Sequence, residues 1–242
     1  MLLQDKLVSQ GNFLFKYRGV LPVIILVPAL WLTYVRENFA NPETNDCVTY
    51  FLYAVAVFGL LIRIYAVGHA SPNTSGRNTS EGQVADSVNN TGIYSQCRHP
   101  LYIGNFFMWL GLAGLTFNAW FLLFFTVSYF FYYERIILAE ESYLFGKFSN
   151  AYKDMANSVP AIIPKFGGWI KNKNPFSLKK IIRQEKTGIL LMNGLFLLFD
   201  AIHEKSIDDV WNNHRFWSVL FVATVVYYIL VKLIEKTTSL LK

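Results

Sequence analysis

The sequence predicts an all-α integral membrane protein with about six transmembrane helices, and three observations carry that expectation. First, 53% of the 242 residues are hydrophobic and only 16% are charged, a balance shifted away from that of soluble domains. Second, the apolar residues gather in six blocks, approximately Val20–Val35, Val48–Gly68, Leu101–Thr116, Ala119–Tyr133, Gly188–Ile202 and Phe216–Ile234. A straight span wants about 20 apolar residues, so the shorter blocks imply tilted helices with snorkelling or aromatic ends. Third, the blocks are continuously apolar and do not alternate, which fits helices and not barrel strands.

Taken in order, Met1 to Lys16 is mixed and polar, with no signal-peptide apolar region or small-residue cleavage site, so no removed leader is expected. Pro22 and Pro28 fall in the first block, where neighbouring helices can satisfy the freed backbone. The loops then give orientation. Lys6, Lys16 and Arg18 precede the first block; Glu37, Glu43 and Asp46 outweigh Arg36 after it. The turn Phe117-Asn118-Ala119 is uncharged, whereas Lys147, Lys153, Lys165, Lys171, Lys173, Lys179, Lys180, Arg183 and Lys186 crowd the stretch between the fourth and fifth blocks. Glu204, Asp208 and Asp209 face Lys205 and Arg215 in the last loop, and the tail ends with Lys236 and Lys242. Basic loops alternate with acidic or neutral ones, which places both termini in the cytoplasm. The same alternation accounts for the net charge of +6 without nucleic acid as a partner.

Between the second and third blocks, His69 to Asn90 is rich in Ser, Asn, Thr and Gly, above all from Ser71 to Gln83, and has no periodicity, so it reads as a loop, either a plain connector or a lid. Its Asn73-Thr74-Ser75 and Asn78-Thr79-Ser80 match the glycosylation pattern, which a cytoplasmic loop cannot use. Phe176 to Lys186 mixes apolar and basic residues at helical spacing, as in an amphipathic helix on an anionic leaflet, with a solvated linker as the alternative. The chain thus divides into a core over 1–165, a basic amphipathic linker over 166–187 and a C-terminal two-helix hairpin over 188–242. Cys47 and Cys97 fall on opposite sides of the membrane, and neither has a second thiol or histidine at ligand spacing, so neither a disulfide nor a metal site is expected.

The polar residues that ask for a function lie in two clusters. The first is the turn from Gly92 to Gly104, in which Pro100 opens a helix at the position where proline is favoured. Free N–H groups and the positive end of the helix dipole then meet Arg98 and His99, with Tyr102 one turn on, a set that suits an anionic group such as a carboxylate. Anchoring at the membrane interface accounts equally well for Arg98 and His99 alone. The second cluster, Glu134-Arg135 and Glu140-Glu141, continues the fourth block on the same cytoplasmic side. Acidic residues there are not topology signals, so they read as solvated helix surface or as the face of a ligand site.

The spacing Gly-Ile-Tyr-x3-Arg-His-Pro-x-Tyr-x-Gly over Gly92–Gly104, followed by Glu140-Glu141-x2-Leu144, Phe148, Tyr152 and Val159-Pro160-x3-Pro164, resembles the isoprenylcysteine carboxyl methyltransferase family and the related phospholipid N-methyltransferases. The likeness covers about residues 50–165. It implies S-adenosylmethionine (SAM) as methyl donor, in a cytoplasmic-side cofactor pocket. Carried over by position, Tyr94, Arg98, His99, Pro100, Leu101, Tyr102, Glu140 and Glu141 would hold the cofactor, with Gln83, Asp86, Ser87, Val88 and Asn89 closing over it. The acceptor would be a membrane lipid or lipidated molecule entering from the bilayer, with a carboxylate, phosphate, amine or thiol to be methylated. Arg135 would stand on the substrate side, and Glu134 or Glu141 would serve as base for an amine acceptor.

The sequence also departs from the family. Ser149 stands where glycine is common, Met155 replaces a tyrosine, and Ile136 occupies the position of a substrate-side arginine, with Arg135 one residue early. Arg63, within the second block, reads as a functional group or as a side chain snorkelling to the surface. Asp200, His203 and His214 read as residues of the opposite interface. Two other classes of function stay open: a small transporter or channel, for which no repeat symmetry is visible, and a relative that has lost methyl transfer.

Overall fold

A computed structural model of the chain describes residues 3–19, 21–39, 46–74, 78–79, 82–204, 215–239 and 241. Glu43, Lys205, Asp208, Asp209, His214, Lys242 and part of the connector after Ser71 lie outside the described residues. The elements are α1 (Leu3–Tyr17), α2 (Leu21–Phe39), α3 (Asp46–His69), α4 (Pro100–Gly114), α5 (Ala119–Phe148), α6 (Asn150–Ser158), α7 (Leu178–His203) and α8 (Arg215–Thr237). A 3-10 turn covers Gly92–Ser95, and a two-residue antiparallel pair joins Asn78–Thr79 to Gly82–Gln83.

The all-helical expectation holds. Among the described residues, α3, α5, α7 and α8 are by length and composition able to cross a membrane, four helices where six spans are expected. The 15 residues of α4 reach only about 22 Å, short of a hydrocarbon core of about 30 Å. α2 runs through Pro28 without a break and carries charged Arg36 and Glu37 near its end. Large side chains on the long helices face outwards, among them Phe51, Phe124, Phe131, Val219 and Leu233. A bundle in water would bury such residues; one in lipid has no need to.

Glycines set how the helices at the site approach. A side chain on Gly59 of α3 would strike the carbonyl of Gly104 and the backbone of Met108 on α4. One on Gly111 would strike Leu52 and Ala56. These pairings run in opposite directions along the two helices, so the end of α3 lies beside the start of α4. After the turn at Phe117, Asn118 caps α5 by accepting from Phe121 N at 2.9 Å, and α5 runs back to the same end. The end of α3, the start of α4 and the end of α5 therefore converge. α1, which precedes the six apolar blocks, lies against α5, with Gly11 meeting the backbone of Arg135 and the side chain of Ala139.

The basic stretch expected as a separate surface helix is the first part of α7, which runs unbroken from Leu178. Ile181, Glu185 and Lys186 are buried there. The C-terminal hairpin is α7 and α8, joined by Asn193 Nδ2 donating to Thr224 Oγ1 at 2.8 Å and by Lys186 Nζ to Glu235 Oε1 at 2.7 Å. It docks on α3 through Tyr53 Oη donating to Asn193 Oδ1 at 3.0 Å and through Tyr53, Phe196 and Trp217, whose rings lie 5.0–5.4 Å apart. At the far end, His203 lies 2.8 Å from Glu37 and 3.1 Å from the Leu115 carbonyl, joining the ends of α7, α2 and α4 inside the bundle. The interface role expected for His203 is replaced by a buried polar joint.

Candidate functional site

The turn before α4 is held by chain that comes much later. Arg98 N donates to Pro160 O at 2.9 Å, His99 N to Ala161 O at 3.0 Å, Lys165 N to Gln96 O at 3.0 Å and Gly92 N to Ile170 O at 2.7 Å. Ile170 N donates to Ser95 Oγ, and Asn172 Nδ2 donates to Tyr65 Oη at 2.7 Å. Residues 159–174 thus form a strap across the turn. Gly92 adopts φ +60°, and Asn172 occupies the space a side chain would need, so glycine meets two demands there.

Within this frame the two polar clusters meet. Arg98 Nε donates to Glu141 Oε1 at 2.8 Å, and its Nη1 donates to Ala156 O at 2.9 Å and to Val159 O. The His99 ring has Nε2 3.1 Å from Glu141 Oε1 and Nδ1 3.4 Å from Glu140 Oε2. Tyr102 Oη donates to Glu140 Oε2 at 2.8 Å. Neutral imidazole has one N–H, whereas imidazolium has two and satisfies both carboxylates. Burial alone would push the His99 pKa down, but the hydrogen bonds and charges of Glu140 and Glu141 outweigh it and raise it to about 9. His99 is therefore a cation at neutral pH.

Two hollows share this wall. One, of about 170 Å³, is lined by Tyr94, Arg98, His99, Pro100, Leu101, Tyr102 and Glu140, joined by Arg18, Arg63 and Asn105. The other, of about 50 Å³, is lined by Ser87, Val88 and Asn89 opposite Leu144, Tyr152 and Met155. Asn89 is fixed by accepting from Ser71 N at 2.8 Å and donating to Thr74 Oγ1 at 2.9 Å. The Tyr94 hydroxyl is buried without a hydrogen-bond partner among the described residues. Burial, then the charge of Glu140, keeps that phenol protonated, so it is a donor without an acceptor. Burial also pushes the Cys97 thiol up to about 12, which makes it inert as a nucleophile.

Beyond Tyr102 and Tyr133, whose rings lie 4.7 Å apart, is an apolar cavity of about 270 Å³. Its walls include Leu14, Ile24, Trp109, Phe125, Tyr129 and Tyr132. Tyr129 Oη donates to Tyr102 O at 2.7 Å, so the partition is tied to the start of α4.

Some expected residues stand elsewhere. Arg135 turns to α1, its Nε 3.3 Å from Gln10 Oε1, and Glu134 is exposed with its carboxylate 3.5 Å from Arg135. Neither lines the hollows. Gln83 donates to Asn12 Oδ1 at 3.4 Å, and exposed Asp86 accepts from Asn73 Nδ2 at 2.8 Å, so neither of these faces the shared wall. Glu141 stands behind Arg98 and His99. Arg63 does not snorkel: its Nε and Nη2 grip Glu185 at 2.9 and 2.7 Å and its Nη1 donates to Asn105 Oδ1 at 2.6 Å. Arg18 and Asn105 carry no local motif that would have marked them. Leu144 and Tyr152 sit within the motif spacing that carries the family resemblance. Among the described residues, no three of His, Cys, Asp and Glu converge as metal ligands.

Fold and site define an integral membrane protein of helices whose polar hollow opens where three helix ends meet. Residues 51–146 match the model of the isoprenylcysteine carboxyl methyltransferase family. A protein-S-isoprenylcysteine O-methyltransferase of Rattus norvegicus is 25% identical over 166 residues, 67% of this chain and 57% of the relative. One from Schizosaccharomyces pombe is 38% identical over 74 residues, 30% of this chain and 31% of the relative. The nickel-cobalt-cadmium resistance protein NccN of Alcaligenes xylosoxydans xylosoxydans is 32% identical over 84 residues, 35% of this chain and 39% of its own. The chain thus spans a little over half the length of the rat relative. No solved structure matches.

Proposed function

We propose that the protein transfers a methyl group from SAM to a lipid-like acceptor, working at the cytoplasmic face of a membrane. The observation that carries this reading is the shared wall: His99 and Tyr102 bound to Glu140, and Arg98 joined to His99 through Glu141, beside a polar hollow, with an apolar cavity behind the Tyr102–Tyr133 pair.

The residues present fit the cofactor. The buried, unpartnered Tyr94 hydroxyl matches a carboxylate or ribose oxygen, and the Glu140 carboxylate matches an amine or sulfonium charge. Neither hollow alone reaches the roughly 300 Å³ usual for ligands of that size, so the wall of Ser87, Val88 and Asn89 has to yield. Bound SAM supplies an activated methyl group, which removes the need for a nucleophilic side chain. The chain's own residues bind, align and exclude water. His99 holds two carboxylates in register, Tyr102 fixes Glu140, and the Tyr102–Tyr133 pair stands where the polar hollow and the apolar cavity adjoin. The likeness to the rat protein-S-isoprenylcysteine O-methyltransferase favours a prenylcysteine carboxylate among the possible acceptors. That acceptor is ionised at neutral pH and needs no general base.

Calorimetry on purified protein in nanodiscs tests the reading. Wild type should bind SAM, and Glu140→Ala should bind at least about tenfold more weakly, a loss of about 1.4 kcal/mol. Labelled SAM supplied with total membrane lipid should then mark the acceptor. Wild-type protein with no affinity for SAM would refute the proposal and favour a relative without methyl transfer, among which the NccN likeness would gain weight.

A further inference from the structure

The geometry points to Glu185, on the C-terminal hairpin, as a positioning residue of the methyl-transfer site that holds Arg63 towards the acceptor's anionic head. The inference rests on the function proposed above and adds to it a residue well beyond the family-matched segment 51–146.

Glu185 is 1% exposed and grips the Arg63 guanidinium with both oxygens, at 2.9 and 2.7 Å, while Asn105 Oδ1 takes Nη1 at 2.6 Å. A two-pronged grip fixes the plane of the guanidinium as well as its place. These bonds use three of its five N–H donors, and Arg63 lines the polar hollow. Asn105 in turn donates to Tyr133 Oη at 3.4 Å, and Tyr133 lines the apolar cavity. Arg63 therefore stands at the junction of the two spaces. An acceptor whose chain lies on the apolar side would bring its polar head there.

Docking the hairpin does not require this pair. A buried ion pair contributes little over apolar residues of the same size, because desolvation offsets the attraction. The hairpin is already seated by Tyr53, Asn193, Phe196 and Trp217. A carboxylate placed under a cation at the cavity wall has its effect on the direction of that cation.

The test uses the full chain in nanodiscs, with N-acetyl-S-farnesylcysteine as the acceptor probe. SAM affinity is measured first, then probe affinity without SAM, then labelled methyl transfer. For Glu185→Gln, SAM affinity should stay within about twofold of wild type, while probe affinity and kcat/KM fall about tenfold or more, the loss lying in KM. Glu185→Asp, which keeps the charge, should recover part of the loss. Asn193→Ala should lower thermal stability without moving either affinity. Unchanged probe affinity in Glu185→Gln overturns the inference. An equal loss of probe affinity in Asn193→Ala also overturns it, since docking alone would then explain the effect. If Glu185→Gln does not fold, Glu185→Asp decides: a selective rise in KM supports the assignment and wild-type values overturn it. Wild type that binds SAM but not the probe overturns this inference alone, whereas wild type that fails to bind SAM removes the proposed function and this inference together.

Discussion

His99 gives the sharpest test of the site's electrostatics because its effect on stability needs no ligand. Its pKa in the folded protein is about 9 against 6.5 for a free imidazole, raised by two carboxylates despite burial. A group whose pKa is higher in the folded state contributes stability fully below its unfolded pKa, and that contribution fades as pH rises through the folded value. The window therefore runs from about pH 6.5 to about pH 9. A shift of that size corresponds to about 3 kcal/mol across the window. His99 is 6% exposed, so solvent screening takes little away. For a chain of this size the loss would lower the unfolding temperature by on the order of 5–10 °C. The assay is thermal unfolding in nanodiscs at steps from pH 6 to pH 9.5, comparing wild type with His99→Gln, which keeps a hydrogen-bond donor but cannot titrate. Wild type should lose stability steadily over the window, and the variant should be less stable at pH 6 and flatter above it. Parallel curves for the two proteins would refute the imidazolium assignment.

Three further outcomes are expected. Ser149 holds φ +47° between α5 and α6, a backbone state that L residues adopt at a cost, so Ser149→Gly should raise stability by about 1 kcal/mol, read from the unfolding temperature. Gly59→Val would drive a side chain into the Gly104 carbonyl and part α3 from α4; a loss of about 2 kcal/mol or more is expected in thermal unfolding, with SAM affinity falling as well. Arg135→Ala should leave SAM affinity and turnover within about twofold of wild type, because the guanidinium faces Gln10 on α1; a selective loss of turnover would restore Arg135 to the substrate side.

The legible parts of the fold were those written in local pattern. Continuous apolar runs gave α3, α5 and α8, and the proline at the head of an apolar block gave the start of α4. The convergence of the turn before α4 with the end of α5 followed from counting passes along an antiparallel hairpin. Arg135 shows where such reading stops. One residue turns a helix by about 100°, so the buried face runs through Tyr133, Ile136 and Glu140 while Arg135 is carried round to α1. The Arg63–Glu185 pair joins residues 122 positions apart, and the motif spacing held no sign of it. α1 carries no long apolar run to mark it, and Gly11, which meets α5, sits in a mixed polar stretch.

The strap has a consequence for how the protein is made. Backbone groups from Gly92 to His99 find their partners between Pro160 and Ile170, residues that leave the ribosome later. The helices on either side can enter the bilayer in order of synthesis, but the turn between them must wait. A nascent chain halted after α5 would carry every side chain of the family segment and still lack the tether that sets Arg98 and His99. Assembly of the pocket is therefore a late event in biogenesis, set by the arrival of a segment that lines neither of its hollows.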